Sequence, residues 1–200
     1  MKLVLATRNH GKIVELQRII AEIMPAVELV GTDSFPDLAD VEETEDSFIG
    51  NALLKAHAVA KATGLPAIAD DSGLSVNALN GAPGIFSARY AGTHGDDLAN
   101  LNKVLSDMDQ VRDRSAAFHC AAAFAKPNGF EIVVEAKLLG RLTTAPIGDD
   151  GFGYDPIFIP GGFEITTAQM SPAQKDQISH RGMAFRELVP KIIYSLKEIK

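Results

Sequence analysis

With 200 residues, 46% of them hydrophobic and 22% charged, the chain is long and apolar enough to bury a core, and this excludes an intrinsically disordered protein. A net charge of −7 argues against a nucleic-acid binder, so any polyphosphate ligand must meet locally concentrated cations or a metal ion. A single cysteine, Cys120, leaves no internal disulfide, and the apolar run at 3–6 is too short for a signal segment or a membrane span, so a cytoplasmic location is expected.

Residues 2–6 read as a short buried strand, followed by a polar loop from Thr7 to Lys12. Ile13, Leu16, Ile19, Ile20 and Ile23 then fall at helical spacing, and Pro25 ends that helix. A second strand is expected over 26–30, which makes an α/β opening. Residues 32–46 are acidic and irregular. Ser47 is placed to cap a helix whose face carries Phe48, Ala52, Leu53, Ala56, Val59 and Ala60, with Gly64 as its stop. Residues 65–69 read as a buried strand broken by Asp70-Asp71-Ser72-Gly73, with a further strand at 74–78 and a turn cluster at 80–84. A helix is expected over 99–108, and paired strands over 115–125 and 132–139 around Pro127-Asn128-Gly129. Ser171-Pro172 opens a short helix, and Ser179 caps a last one carrying Met183, Phe185, Leu188, Val189, Ile192, Ile193 and Leu196. No repeat or linker interrupts the chain, so residues 1–200 are read as one mixed α/β domain.

Five segments carry candidate chemistry. Thr7-Arg8-Asn9-His10-Gly11-Lys12 lies between a strand and a helix start, where free amides and the helix dipole favour an anion. It lacks the upstream glycine and the Ser or Thr of a P-loop, and alone it reads equally as an ordinary βα loop. Asp70 and Asp71 end a buried strand; adjacent carboxylates repel unless a cation intervenes, and hard oxygens suit Mg²⁺. Asn51 and Lys55 share a helix face, so Lys55 can point inward, and Glu43 just upstream is a carboxylate within the acidic segment. In Phe152-Gly153-Tyr154-Asp155 the glycine permits a bend, and either aromatic can stack on a nucleobase or fill the core. His180 and Arg181 put cations at a helix start, against the macrodipole, and Arg can donate to a purine O6 and N7; Lys175 sits one turn upstream. His119 and Cys120 have no partners for a zinc site and read as core or near-surface residues. A Ser–His–Asp triad is not ruled out, although no glycine elbow supports one.

Individually weak, these motifs are specific in their order: Ala6-Thr7-x-Asn9-x-Gly11-Lys12, Glu43-Thr44, Phe48-x-x-Asn51-Ala52-x-x-Lys55-Ala56, Ala69-Asp70-Asp71-Ser72-Gly73-Leu74, Gly81-Ala82-Pro83-Gly84, Phe152-Gly153-Tyr154-Asp155-Pro156 and Ser179-His180-Arg181-Gly182. The chain thus resembles the inosine triphosphate pyrophosphatase family. The resemblance implies an elongated two-lobed α/β fold, with a long twisted mixed sheet flanked by helices and an active-site cleft between the lobes. It implies a homodimer that hydrolyses ITP, dITP or XTP to the monophosphate and pyrophosphate, with neither nucleic acid nor membrane as partner. By the same resemblance, Thr7, Arg8, Asn9, His10, Gly11 and Lys12 hold the triphosphate with help from Lys55. Glu43 and Asp71 bind Mg²⁺, Asp71 also serves as general base, and Ser72 contacts substrate. Phe152, Gly153, Tyr154, Asp155, Lys175, His180 and Arg181 enclose the base. Arg8 stands where the family often has glycine. Two other readings remain: a pyrophosphatase of different base preference, such as the Maf-like group, and a non-catalytic nucleotide sensor.

Overall fold

A computed structural model describes residues 2–197. Six strands hydrogen-bond in the order β2-β1-β3-β4-β5-β6: β1 (Lys2–Leu5), β2 (Glu28–Gly31), β3 (Ala67–Val76), β4 (Ser115–Ala125), β5 (Glu131–Leu142) and β6 (Phe158–Pro160). β1 pairs in parallel with β2 and β3, while β5 and β6 are antiparallel, so the sheet is mixed. Among the described residues five α-helices accompany it: α1 (His10–Ile23), α2 (Phe48–Thr63), α3 (Asp97–Asp107), α4 (Pro172–Ile178) and α5 (His180–Lys197). The expected α/β class is observed. The chain forms two compact units, one from residues 1–71, 120–136 and 181–200, the other from 72–119 and 137–180.

In the first unit, the two-residue period of each strand sorts side chains between two cores. Leu3 and Leu5 of β1, Ile68 of β3, and Cys120, Ala122 and Phe124 of β4 pack with α1 and α5. Their neighbours Val4, Ala6, Ala67, Ala69, Ala121, Ala123 and Ala125 face α2. That second core is almost all alanine, and α2 matches it with Ala52, Ala56 and Ala60. The second unit has its own core, built on Leu74, Val76, Leu101, Val104, Met108, Phe118, Tyr154, Ile157 and Phe158.

Helix punctuation follows the sequence closely. Ser47 Oγ accepts from the Gly50 amide at 3.1 Å, and Gly64 ends α2 at φ +68°, a left-handed conformation that glycine adopts without strain. Ser171 caps α4 in a reciprocal box with Gln174. Ser179 closes α4 through Lys175 O and immediately precedes α5.

Two expectations are corrected. α1 begins at His10 rather than Ile13, because Asn9 is its N-cap and accepts from the Lys12 amide at 3.0 Å. Gly11 and Lys12 therefore occupy its first turn. Strand β3 runs unbroken from Ala67 to Val76, through Asp70-Asp71-Ser72-Gly73. An unbroken strand sends the two carboxylates to opposite faces, so the repulsion that argued for a break is largely avoided.

Candidate active site

Asp70 shares the parity of Ile68 and lies on the α1/α5 face of β3; Asp71 shares that of Ala67 and Ala69 and lies on the α2 face.

On the first face Asp70 is completely buried. Its Oδ2 accepts from Arg181 Nε and Nη2, both at 3.2 Å, and lies 3.1 Å from Lys12 Nζ. Arg181 Nη1 is ion-paired with Glu15, a buried carboxylate of α1. Two carboxylates thus meet two cations. Burial alone would raise the Asp70 pKa, but Lys12 and Arg181 outweigh it and hold the carboxyl well below its usual range. The cation at the start of α5 is explained as well: it arrives with two carboxylates, which the helix N-terminus favours.

On the second face the balance differs. Lys55 Nζ lies 2.6 Å from Glu43 Oε1 and 3.6 Å from Asp71 Oδ1. Asn51 Nδ2 donates to Asp71 Oδ2 at 3.2 Å, and its Oδ1 accepts from the Glu45 amide at 3.0 Å, which fastens the acidic segment to α2. One ammonium serves two carboxylates. Burial pushes the Asp71 pKa up; Lys55 and Lys12 oppose the shift, and Glu43 and Asp70 add to it. Burial would lower the Lys55 pKa, but Asp71, Glu43 and Asp70 override it and keep the amine charged. Two hard oxygen donors set beside one ammonium fit a divalent ion such as Mg²⁺. Among the described residues no cluster of three or more His, Cys, Asp or Glu side chains is arranged to hold a metal, so such an ion must draw further ligands from water or phosphate.

The phosphate-loop candidates divide. Thr7 Oγ1 accepts from the Asn9 amide at 3.2 Å, forming a small turn ahead of α1. His10 is exposed, and with Gly11 it occupies the first turn of α1, where backbone amides lack intrahelical acceptors. Arg8 reaches away to Leu38 O at 2.7 Å and Asp40 Oδ1 at 3.0 Å. Ser72 is half-buried on β3.

In the second unit Asp155 is the organiser. Its Oδ2 takes the Lys175 ammonium at 2.5 Å and the Phe152 amide at 2.9 Å; its Oδ1 takes Thr167 Oγ1 at 2.8 Å. Lys175 Nζ lies 4.8 Å from the centre of the half-buried Phe152 ring, within cation–π range. Tyr154 packs in the core, with its hydroxyl donating to Ser87 O at 2.8 Å. Of the two aromatics, Tyr154 is thus spent on the core and Phe152 keeps a partly exposed ring. His180 is buried against Phe118, with the rings stacked 4.8 Å apart.

Arg181 Nε, Nη1 and Nη2 serve Asp70 and Glu15, the buried counter-charges that a buried guanidinium needs. Glu15 was missed, although a glutamate one position before Leu16 on an otherwise apolar helix face is a readable signal. Ser75 Oγ and His119 Nε2 do lie 2.6 Å apart. Burial and Lys137 push the His119 pKa down, opposite to the effect of a triad carboxylate.

Residues 3–191 match the Ham1 family. The dITP/XTP pyrophosphatase of Streptomyces coelicolor is 57% identical over 193 residues, and that of Streptomyces avermitilis 56%; each alignment covers 96% of both chains. Among solved structures, the Ham1 protein of Staphylococcus aureus superposes with a TM-score of 0.85 at 41% identity, covering 98% of this chain and all of its own. A HAM1 protein from Coxiella burnetii gives 0.86 at 39% identity, covering 97% and 99%.

Proposed function

The chain belongs to the Ham1 family, and from that premise we propose a magnesium-dependent pyrophosphatase that clears noncanonical purine nucleotides. It hydrolyses dITP, XTP and ITP to the monophosphate and pyrophosphate. The observation that carries this reading is the 56–57% identity, across 96% of each chain, to proteins named for the dITP/XTP activity.

The triphosphate is held by the Thr7–Lys12 segment: the amides of the first turn of α1 face it, and Lys12 and Lys55 supply charge. Arg8 acts from a distance, tying this segment to residues 38–40. Magnesium, held by Glu43 and Asp71, supplies charge neutralisation at phosphate oxygens. Asp71 takes a proton from the attacking water as its oxygen bonds the α-phosphorus and the bond to pyrophosphate breaks. Ser72 contacts substrate. Phe152 stacks on the base, with Gly153 and Asp155 setting its pose; Lys175 and His180 close the pocket. Arg181 or Lys175 donates to the 6-keto oxygen that ITP and XTP share, and ATP presents an amine there instead. Arg181 contributes by fixing Asp70 and, through it, Lys12. A cytoplasmic homodimer follows from the family resemblance, and among the described residues no helix is long and apolar enough to cross a membrane.

The test is a pyrophosphate-release screen over a nucleotide panel, with and without Mg²⁺. The expected result is Mg²⁺-dependent turnover of dITP, XTP and ITP, with ATP slower by about 10⁴-fold. ATP hydrolysed as fast as ITP would overturn the base reading. As a readout independent of turnover, Mg²⁺ with a nonhydrolysable analogue should raise the melting temperature, and Glu43→Gln should abolish the metal's share of that shift.

A further inference from the structure

Gly153 adopts φ +61°, yet a Cβ built there would meet nothing within 4 Å. The glycine is thus required for its backbone bend and not for space. Its amide donates to Asp97 Oδ2 at 2.9 Å. Asp97 is the first residue of α3, and its neighbour Asp96 is the N-cap, accepting from the Ala99 amide at 3.0 Å. Two consecutive aspartates therefore have separate tasks, and only Asp96 is needed to start the helix.

The bond from Asp97 closes a ring. Asn100 of α3 donates to Ala88 O at 3.1 Å and accepts from the Ala91 amide at 2.7 Å, fastening the helix to the 3-10 segment Gly84–Arg89 and the turn after it. Ser87 of that segment accepts from the Tyr154 hydroxyl at 2.8 Å. Gly153 and Tyr154 are thus pinned by two elements that are themselves tied together, and Phe152 is held next to them by its amide bond to Asp155.

We propose that Asp97 is a positioning residue for the base platform: by gripping the Gly153 amide it fixes the pose of the Phe152 ring and so sets affinity for the purine, not the rate of the phosphoryl step. This rests on the reading of Phe152 as that platform.

The test compares Asp97→Ala and Asp97→Asn with the wild type, using inosine monophosphate and inorganic pyrophosphate as product inhibitors. In Asp97→Ala the inhibition constant for inosine monophosphate and the KM for dITP should rise about three- to tenfold, as expected for one lost hydrogen bond. kcat and the pyrophosphate constant should stay within about twofold. Asn keeps an acceptor oxygen, so Asp97→Asn should recover most of the loss. Amide exchange at Gly153 should quicken in the alanine variant alone. An unchanged constant for inosine monophosphate, or a parallel rise in both constants, overturns the proposal. A wild type that turns over neither dITP nor XTP instead overturns the reading beneath it.

Discussion

Asp70 and Asp71 are chemically identical neighbours on one strand, both buried, and the structure pushes their pKa values in opposite directions. Asp70 faces α1 and α5, where Lys12 and Arg181 balance it and Glu15. Asp71 faces α2, where Lys55 is shared with Glu43. The first arrangement is closed and favours ionised Asp70. In the second, burial outweighs Lys55 and Lys12 and leaves ionised Asp71 less stable than in water. A pair of this kind separates scaffold from chemistry: the carboxyl held ionised anchors the framework, and the one whose ionised form burial penalises is the candidate for reaction.

The sharpest way to break this comparison is to neutralise each carboxylate without changing its shape. Asp71→Asn should lower kcat by roughly 10²–10⁴-fold, the usual loss on removing a general base. Because the folded-state pKa of Asp71 lies above its unfolded value, its ionised form destabilises the fold once pH rises through that pKa. The same substitution should therefore leave the thermal midpoint unchanged or raise it at pH 7. Asp70→Asn should do the reverse to stability, costing about 3–5 kcal/mol in urea titration, because buried Arg181 and half-buried Lys12 lose their shared charged partner. Equal stability losses in the two variants would erase the distinction.

Acid should separate the two groups in the wild type. As pH falls through the raised Asp71 pKa, the base is protonated and kcat/KM drops. Asp70 has a folded pKa below its unfolded one, so its stabilisation is full above the ordinary carboxylate range and is lost as pH falls below it. Activity should thus disappear at a higher pH than helical circular dichroism does. Coincident loss of both would show that Asp71 is not the titrating base.

The sequence made the punctuation legible. Ser47, Gly64, Ser171 and Pro172 act within the first or last turn of their own helices, and each sits where capping rules place it. Asn9 reads as part of a loop until its cap is seen, and its capping moves the start of α1 by a turn. The fate of Asp70-Asp71-Ser72-Gly73 was not legible locally. Two carboxylates and a glycine look like a turn, and what keeps them in a strand is the cations brought by α1, α2 and α5 from positions 12, 55 and 181. The partners of Arg181 were illegible for the same reason: Glu15 and Asp70 reach it from α1 and β3, far away in the chain. Tyr154 and Phe152 are interchangeable in a string of letters; only packing puts one in the core and leaves the other half-exposed.

The mildest test asks whether the base platform is independent of the acid-bearing strand. Phe152→Leu keeps an apolar side chain of similar reach, so the core of the second unit and the hold of Asp155 on the residue 152 amide should survive. What it loses is a π-face. Stacking of a base on an aromatic ring contributes about 1–3 kcal/mol by alanine substitution, and leucine retains part of the buried area, so the expected rise in KM for dITP is about fivefold. kcat should not move, and neither should the acid limb of the pH profile, since nothing around Asp71 has changed. A shift in that limb would mean that the two regions are coupled and that the division between base recognition and proton transfer is wrong.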